Sequence, residues 1–168
     1  MHRYKTWNGP MPTTAAQASV ATGTSIKTML QVATPSTRQI QLISWGFTTH
    51  ITPTTGTSIV ELLQTDVAAT VTAHVAAGVQ PLDPNAPASL MTLGTSATGY
   101  TASAEGTTTA ARVFDVAQIA PTAGAYQSWY EYQWMPDERP ILAVSKFLRV
   151  RVTMGVTVNM ICWVCWDE

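Results

Sequence analysis

The chain has 168 residues, 46% of them hydrophobic and only 11% charged, with a formal net charge of −1. At this length the expectation is one domain with a core of its own. No basic stretch exceeds pairs such as Arg149 and Arg151, so the electrostatic footprint of a nucleic-acid binder is missing, and no apolar run approaches the roughly 20 residues that cross a bilayer as a helix.

An ordinary globular domain carries about 25% charged residues. With so few here, much of the surface must be Thr, Ser, Ala, Gln and Gly. Such a surface suits a protein packed against neighbours, and equally an uncharged secreted β-protein. The first twenty residues, MHRYKTWNGPMPTTAAQASV, hold basic residues but no continuous apolar stretch, unlike a secretory signal. The expected mature chain therefore starts near Met1 and is made in a cytoplasm, where two cysteines are not a disulfide framework.

Residues 1–23 are rich in Pro, Thr and Ala, with an NGPMP turn signal, and read as an extended N-terminal arm. Arg3, Tyr4, Lys5 and Trp7 within it are candidates for a partner interface, because Tyr, Trp and Arg are enriched at the centres of such interfaces. The domain proper is expected over 24–168. SIKTMLQVA (25–33) alternates with period two, the signature of a strand. RQIQLISWGFTTH (38–50) and SIVELLQT (58–65) read the same way, and ATVTAHVAA (69–77) more weakly. These segments are short, rich in Thr and Val, and bounded by turn residues, which favours an all-β fold.

Residues 78–111 hold prolines at 81, 84 and 87 and many small polar residues, and read as a long loop. A strand is expected over 111–120. In PTAGAYQSWYEYQWM (121–135), alternation puts Tyr126, Tyr130, Tyr132 and Trp134 on one face and Trp129, Glu131 and Met135 on the other. Two further strands, 141–154 and 156–166, complete a count of about eight. No amphipathic helix, phosphate loop or internal repeat accompanies them. The architecture this predicts is an antiparallel β-sandwich of about eight strands, jelly-roll-like.

Cys162 and Cys165 form a C-x-x-C. In a strand, positions three apart face opposite sides, whereas a zinc or redox pair needs both sulfurs on one side of a turn. His2, His50 and His74 supply no ligand-spaced pair. The thiols therefore read as packing residues, and no metal or cofactor is expected. Glu105, Asp115, Glu131, Asp137 and Glu138 show no spacing that argues for a catalytic pair, Glu61 is ordinary on a strand, and no serine sits in a nucleophile elbow. No residue is nominated as catalytic. The aromatic row at Tyr130, Tyr132 and Trp134 has three open roles: core, protein interface, or a platform on which sugars stack.

The ordered series Lys27, Leu30, Gln31; Ile43, Trp45, Gly46; Pro81-Leu82-Asp83-Pro84; Trp134, Pro136, Glu138, Pro140, Ile141; and Leu148-Arg149-Val150, Val158, Asn159, Trp166, Glu168 resembles small β-sandwich proteins encoded by tailed bacteriophages near their head genes. It covers about residues 25–168; the C-x-x-C and the longer LRVRVTMGVTVN stretch depart from the pattern. The resemblance implies a non-enzymatic capsid decoration, or cement, protein on the outer face of the virion, assembled in the host cytoplasm. It would be a homotrimer whose partner is the major capsid protein, with no nucleic-acid, membrane or small-molecule partner. The alternative is a carbohydrate-binding jelly roll that holds host glycans through Tyr130, Tyr132 and Trp134. A third class, a sandwich-fold enzyme, would need paired carboxylates in a groove.

Overall fold

The computed structural model describes residues 2–11, 14–122 and 127–168. Among them, strands are β1 (Arg3–Trp7), β2 (Val20–Ala21), β3 (Lys27–Ala33), β4 (Ile40–Thr49), β5 (Ser58–Thr65), β6 (Thr70–Ala73), β7 (Val79–Pro81), β8 (Gly99–Ala104), β9 (Ala111–Ile119), β10 (Trp129–Gln133), β11 (Ile141–Leu142), β12 (Phe147–Thr153) and β13 (Asn159–Asp167). Short 3-10 turns at Ala76–Gly78 and Pro136–Glu138 are the helical elements.

The strands form two antiparallel sheets. One runs β10-β4-β13-β1-β7, with β11 also on β4 and β2 also on β13; the other runs β6-β8-β3-β12-β5-β9. Four nested pairings generate them: β1 with β13, β3 with β12, β4 with β10, and β5 with β9. A long hairpin folded over in this way puts β1-β13-β4-β10 in one sheet and β3-β12-β5-β9 in the other, which is the winding of a jelly roll. The remaining strands extend the edges.

Alternation supplies the core. Leu30 and Val32 of β3, Leu62 of β5, Leu148, Val150 and Val152 of β12, and Met160, Cys162, Val164 and Trp166 of β13 meet between the sheets with Trp45 and Phe47 of β4. The outward face of the second sheet is held by ions instead. Arg149, only 1% exposed, donates to the carbonyls of Val67 and Glu105, and Glu105 in turn accepts from the backbone N–H and hydroxyl of Thr28 at 2.5 and 2.6 Å. A buried guanidinium is tolerable only when its donors are matched in this way.

Two expectations are corrected. The first is the N-terminal arm. Residues 3–7 are strand β1, hydrogen-bonded on one side to β13 and on the other to β7, with Tyr4 opposite Trp166 and Thr6 opposite Val164. The sandwich therefore begins at the N-terminus, not near residue 24. The physical reason is the Tyr4–Thr6 alternation, whose partner lies about 160 residues along the chain. The second is the loop at 78–111, which contains β7 and β8. The part without strands is tied down by the last residue: Glu168 accepts from the Ser89 hydroxyl, the Leu90 N–H at 2.9 Å and Trp166 Nε1 at 3.1 Å.

Candidate interaction surfaces

Strand parity splits the four N-terminal candidates. Tyr4 is 1% exposed, stacked on Trp166 with ring centroids 6.1 Å apart, and its hydroxyl donates to the Pro87 carbonyl at 2.9 Å. It is a core residue and no partner reaches it. Burial, with the Glu168 carboxylate second, raises its pKa above the ordinary tyrosine value. Arg3, Lys5 and Trp7 point to the other side, onto the outer face of the first sheet. Lys5 Nζ sits 5.2 Å from the Trp7 ring centroid and 5.1 Å from that of Trp163, a cation held between two indoles. Arg3 lies 3.5 Å from the buried carboxylate of Asp167, which Arg139 also approaches at 3.3 Å.

This outer face owes its shape to Gly46. A Cβ there would stand 2.5 Å from Trp163 Cζ2 and 2.6 Å from the Tyr130 carbonyl oxygen. The missing side chain lets the Trp163 indole lie flat across β4, and Trp163 is 9% exposed as a result.

The aromatic row is not an exposed platform. Tyr130 packs between Trp45 and Phe47, with centroids 5.4 and 5.5 Å away, and Trp134 is buried. Tyr132, 41% exposed, meets Trp134 edge-on. Tyr126 lies outside the described residues. Tyr130 and Trp45 converge on one carboxylate of the other sheet: Asp115 Oδ2 accepts from the Tyr130 hydroxyl at 2.7 Å and from Trp45 Nε1 at 2.9 Å. Burial first, then this hydrogen bond to an anion, pushes the Tyr130 pKa up to about 12.

The row fails as a platform because β10 is the last strand of its sheet and its Tyr130–Trp134 face points inward, where Tyr130 and Trp134 pack against the core. The side chains left in solvent are those assigned to the opposite face. Trp129 is 66% and Met135 68% exposed. Strand β9, the last of the second sheet, runs alongside and adds Val113 and Val116, about half exposed. Asp115–Tyr130 and a hydrogen bond from Arg112 to the Ile141 carbonyl join the two sheets along this edge. Alternation separated Trp129 and Met135 from the row, but edge position, which makes them the exposed set, is a tertiary property.

The thiols sit as parity requires. Cys162 faces the core and Cys165 the outer side; both are free and buried. Burial raises both pKa values, that of Cys162 well above the ordinary thiol value. Among the described residues no group of three His, Cys, Asp or Glu side chains is placed to hold a metal ion, and no helix is long and apolar enough to cross a membrane.

Two hollows flank these surfaces. One, of about 410 Å3, opens at the β9–β10 edge between Gln118, Thr122, Gln127, Ser128 and Trp129. The other, of about 210 Å3, lies beside β7 and is lined by Ala77, Val79, Pro81, Pro87, Ala88 and Met91. No protein-family model, curated protein or solved structure matches this chain.

Proposed function

We propose that the chain is a structural virion protein, a decoration or cement protein on the outer face of a tailed-phage head that binds between major capsid protein subunits. The observation that carries the docking half of this proposal is the exposed apolar edge, where Trp129, Val113 and Val116 stand in solvent at the end of both sheets. Exposed apolar side chains along one edge of a charge-poor protein suit a surface that is covered in use. The phage half is supported by the ordered motifs from Lys27 to Glu168 and their resemblance to head-associated sandwiches.

The mechanism is mass action. A protein that binds the expanded shell and not its disassembled subunits stabilises the shell by RT ln(1 + [L]/Kd), about 2.7 kcal/mol per site at one hundred times Kd. Symmetry repeats that gain over every equivalent site.

The test is sedimentation of purified protein with expanded tailed-phage heads that lack it. Saturable co-sedimentation, reduced several-fold by Trp129→Ser, is expected; protein that stays in the supernatant at every concentration refutes the proposal. A homotrimer remains part of the proposal.

One observation favours a second function. The hollow at Trp129 combines an exposed indole with Gln118, Gln127 and hydroxyl side chains, a composition that suits a sugar ring. The carbohydrate alternative therefore moves from the 130–134 row to Trp129. Binding to a glycan array that Trp129→Ser abolishes, without head binding, would establish it instead.

A further inference from the structure

The edge of a sheet presents backbone N–H and C=O groups to whatever lies beside it, and folded proteins usually cover or interrupt such edges. The two sheet paths of this sandwich end in four strands, β7 and β10 in the first and β6 and β9 in the second. Three of the four are interrupted. β7 is three residues long and ends in Pro81, which has no N–H to offer. β6 is four residues long, slips register twice against β8, and its Val71 N–H already donates to the Thr95 carbonyl at 2.8 Å. β9 skips Phe114 in its pairing with β5, and the Asp115 carboxylate accepts from the Val116 N–H at 2.8 Å. A bulge, or a side chain turned onto the edge, stops another strand from pairing there.

β10 has none of these devices. Trp129–Gln133 pairs with β4 in unbroken register, from Trp129 opposite Thr48 to Gln133 opposite Ser44. The phase of the ladder is set at its two ends, where the Thr49 N–H donates to the Ser128 carbonyl at 2.9 Å and the Trp134 N–H to the Ile43 carbonyl at 3.0 Å. The backbone groups of Ser128 and Trp134 thus face β4, and by alternation so do those of Tyr130 and Tyr132. The N–H and C=O groups of Trp129, Glu131 and Gln133 point the other way, to the open side of the sheet, and have no partner among the described residues. The three side chains are exposed on the outer face, and Tyr132 of the inward set is 41% exposed. This edge is also acidic: Glu131, Asp137 and Glu138 are exposed and in no ion pair among the described residues.

We propose that β10 is a docking edge for an extended segment of another protein, which joins the first sheet as a further strand and sets a Lys or Arg side chain opposite Glu131. The occupant is a strand because the unmet groups are backbone donors and acceptors spaced two residues apart, the pattern that extended backbone matches. It carries a cation because a residue directly opposite Glu131 projects from the same face, with Cβ atoms about 5 Å apart, and an opposite charge there is favourable. Its alternate residues turn inward beside Tyr132 and are apolar. A second copy of β10 suits the edge poorly. The one antiparallel register that uses Trp129, Glu131 and Gln133 of both copies sets Glu131 against Glu131, and like charges directly opposite are destabilising. The inference deepens the docking half of the proposed function and rests on it for the source of the strand, a shell subunit. Its test uses peptides and the isolated protein, so failure of strand addition and failure of head binding are told apart.

The experiment selects binders to the immobilised full-length protein from a displayed library of random peptides of about nine residues, longer than a common strand. Enrichment of sequences that alternate apolar and polar residues, with Lys or Arg at a polar position, is expected. A synthetic copy of the strongest binder is expected to bind with a Kd of about 1–100 μM by calorimetry. Gln133→Pro removes one outward N–H and no bond to β4, as proline on a sheet edge can, and is expected to weaken binding about tenfold or more, with Gln133→Ala close to wild type. Glu131→Lys is expected to weaken it about as much, and a peptide with Glu in place of its cation to restore it. N-methylation of every second backbone nitrogen of the peptide is expected to abolish binding in one phase and to leave it in the other, which tests the same bonds without altering the protein. A library without enrichment would overturn the proposal, as would a binder indifferent to both Gln133→Pro and N-methylation. So would ultracentrifugation that finds the free protein to be a dimer dissociated by Gln133→Pro, since a second copy would then hold the edge.

Discussion

Tyr4→Ala distinguishes a strand from an arm by magnitude. Tyr4 is 1% exposed, stacked on Trp166 and hydrogen-bonded to Pro87. Truncating a buried aromatic costs about 3–5 kcal/mol, from lost transfer energy and the cavity left behind. Tyr4→Phe keeps the ring and removes only the hydroxyl, at a cost of about 1 kcal/mol. Lys5→Ala, one residue along and on the outer face, loses a cation–π contact of about 0.5–1 kcal/mol. The expected order in urea unfolding, at one fixed protein concentration, is therefore Tyr4→Ala far below Tyr4→Phe, with Lys5→Ala close to wild type. For a chain of this size the Tyr4→Ala loss corresponds to a fall in Tm of roughly 10 °C. Deleting residues 1–7 should cost more still, since β13 and β7 both lose their partner. If Tyr4→Ala unfolds within about 1 kcal/mol of wild type, below the usual range for a buried aromatic, β1 is not an integral strand and the assignment of a jelly roll that starts at the N-terminus fails.

Other consequences are as direct. Cys162 and Cys165 should resist a thiol reagent at pH 8 in the native protein and react fully in denaturant, because burial holds both as thiols; Cys162→Ala should cost about 1–2 kcal/mol, and stoichiometric zinc in the purified protein would contradict the packing role. His74 is buried with Nε2 2.9 Å from the Trp7 carbonyl, and burial lowers its pKa below the ordinary value of 6.5. A folded-state pKa below the unfolded one means the unfolded chain binds the proton first, so stability is full above about pH 6.5 and declines as pH falls through the folded value; His74→Gln should flatten that part of the pH profile. Asp115→Ala should leave the Trp45 indole N–H and the Tyr130 hydroxyl without their acceptor, at a cost of about 1–3 kcal/mol, and the Tyr130 titration should move down from about 12.

Much of the fold was legible because its long strands carry the signal themselves. Lys27–Ala33, Ser58–Thr65, Phe147–Thr153 and Asn159–Asp167 alternate over enough residues for period two to stand out, and the opposed thiols of Cys162 and Cys165 follow from it. Residues 3–7 alternate over only five positions and precede a Pro- and Thr-rich stretch, so nothing local distinguishes a strand from an arm. What makes them a strand is the hydrogen-bonding edge of β13, at the far end of the chain. The three residues of β7 were hidden in the same way, since their partner is β1 itself. At the aromatic strand the alternation of faces was readable, but which face meets water depends on β10 being an edge that closes over Trp45 and Phe47. The exposed Trp129 and Met135 were consequently separated from Tyr130 and Trp134 without being recognised as the accessible pair.

The central claim is that this sandwich docks on a larger shell through its exposed apolar edge. Cryo-electron microscopy of tailed-phage heads mixed with the purified protein tests it most directly. The account predicts density for the sandwich at symmetry-equivalent sites on the outer face, with Trp129, Val113 and Val116 buried against shell subunits. Bare heads, or copies attached with that edge facing solvent, would contradict it.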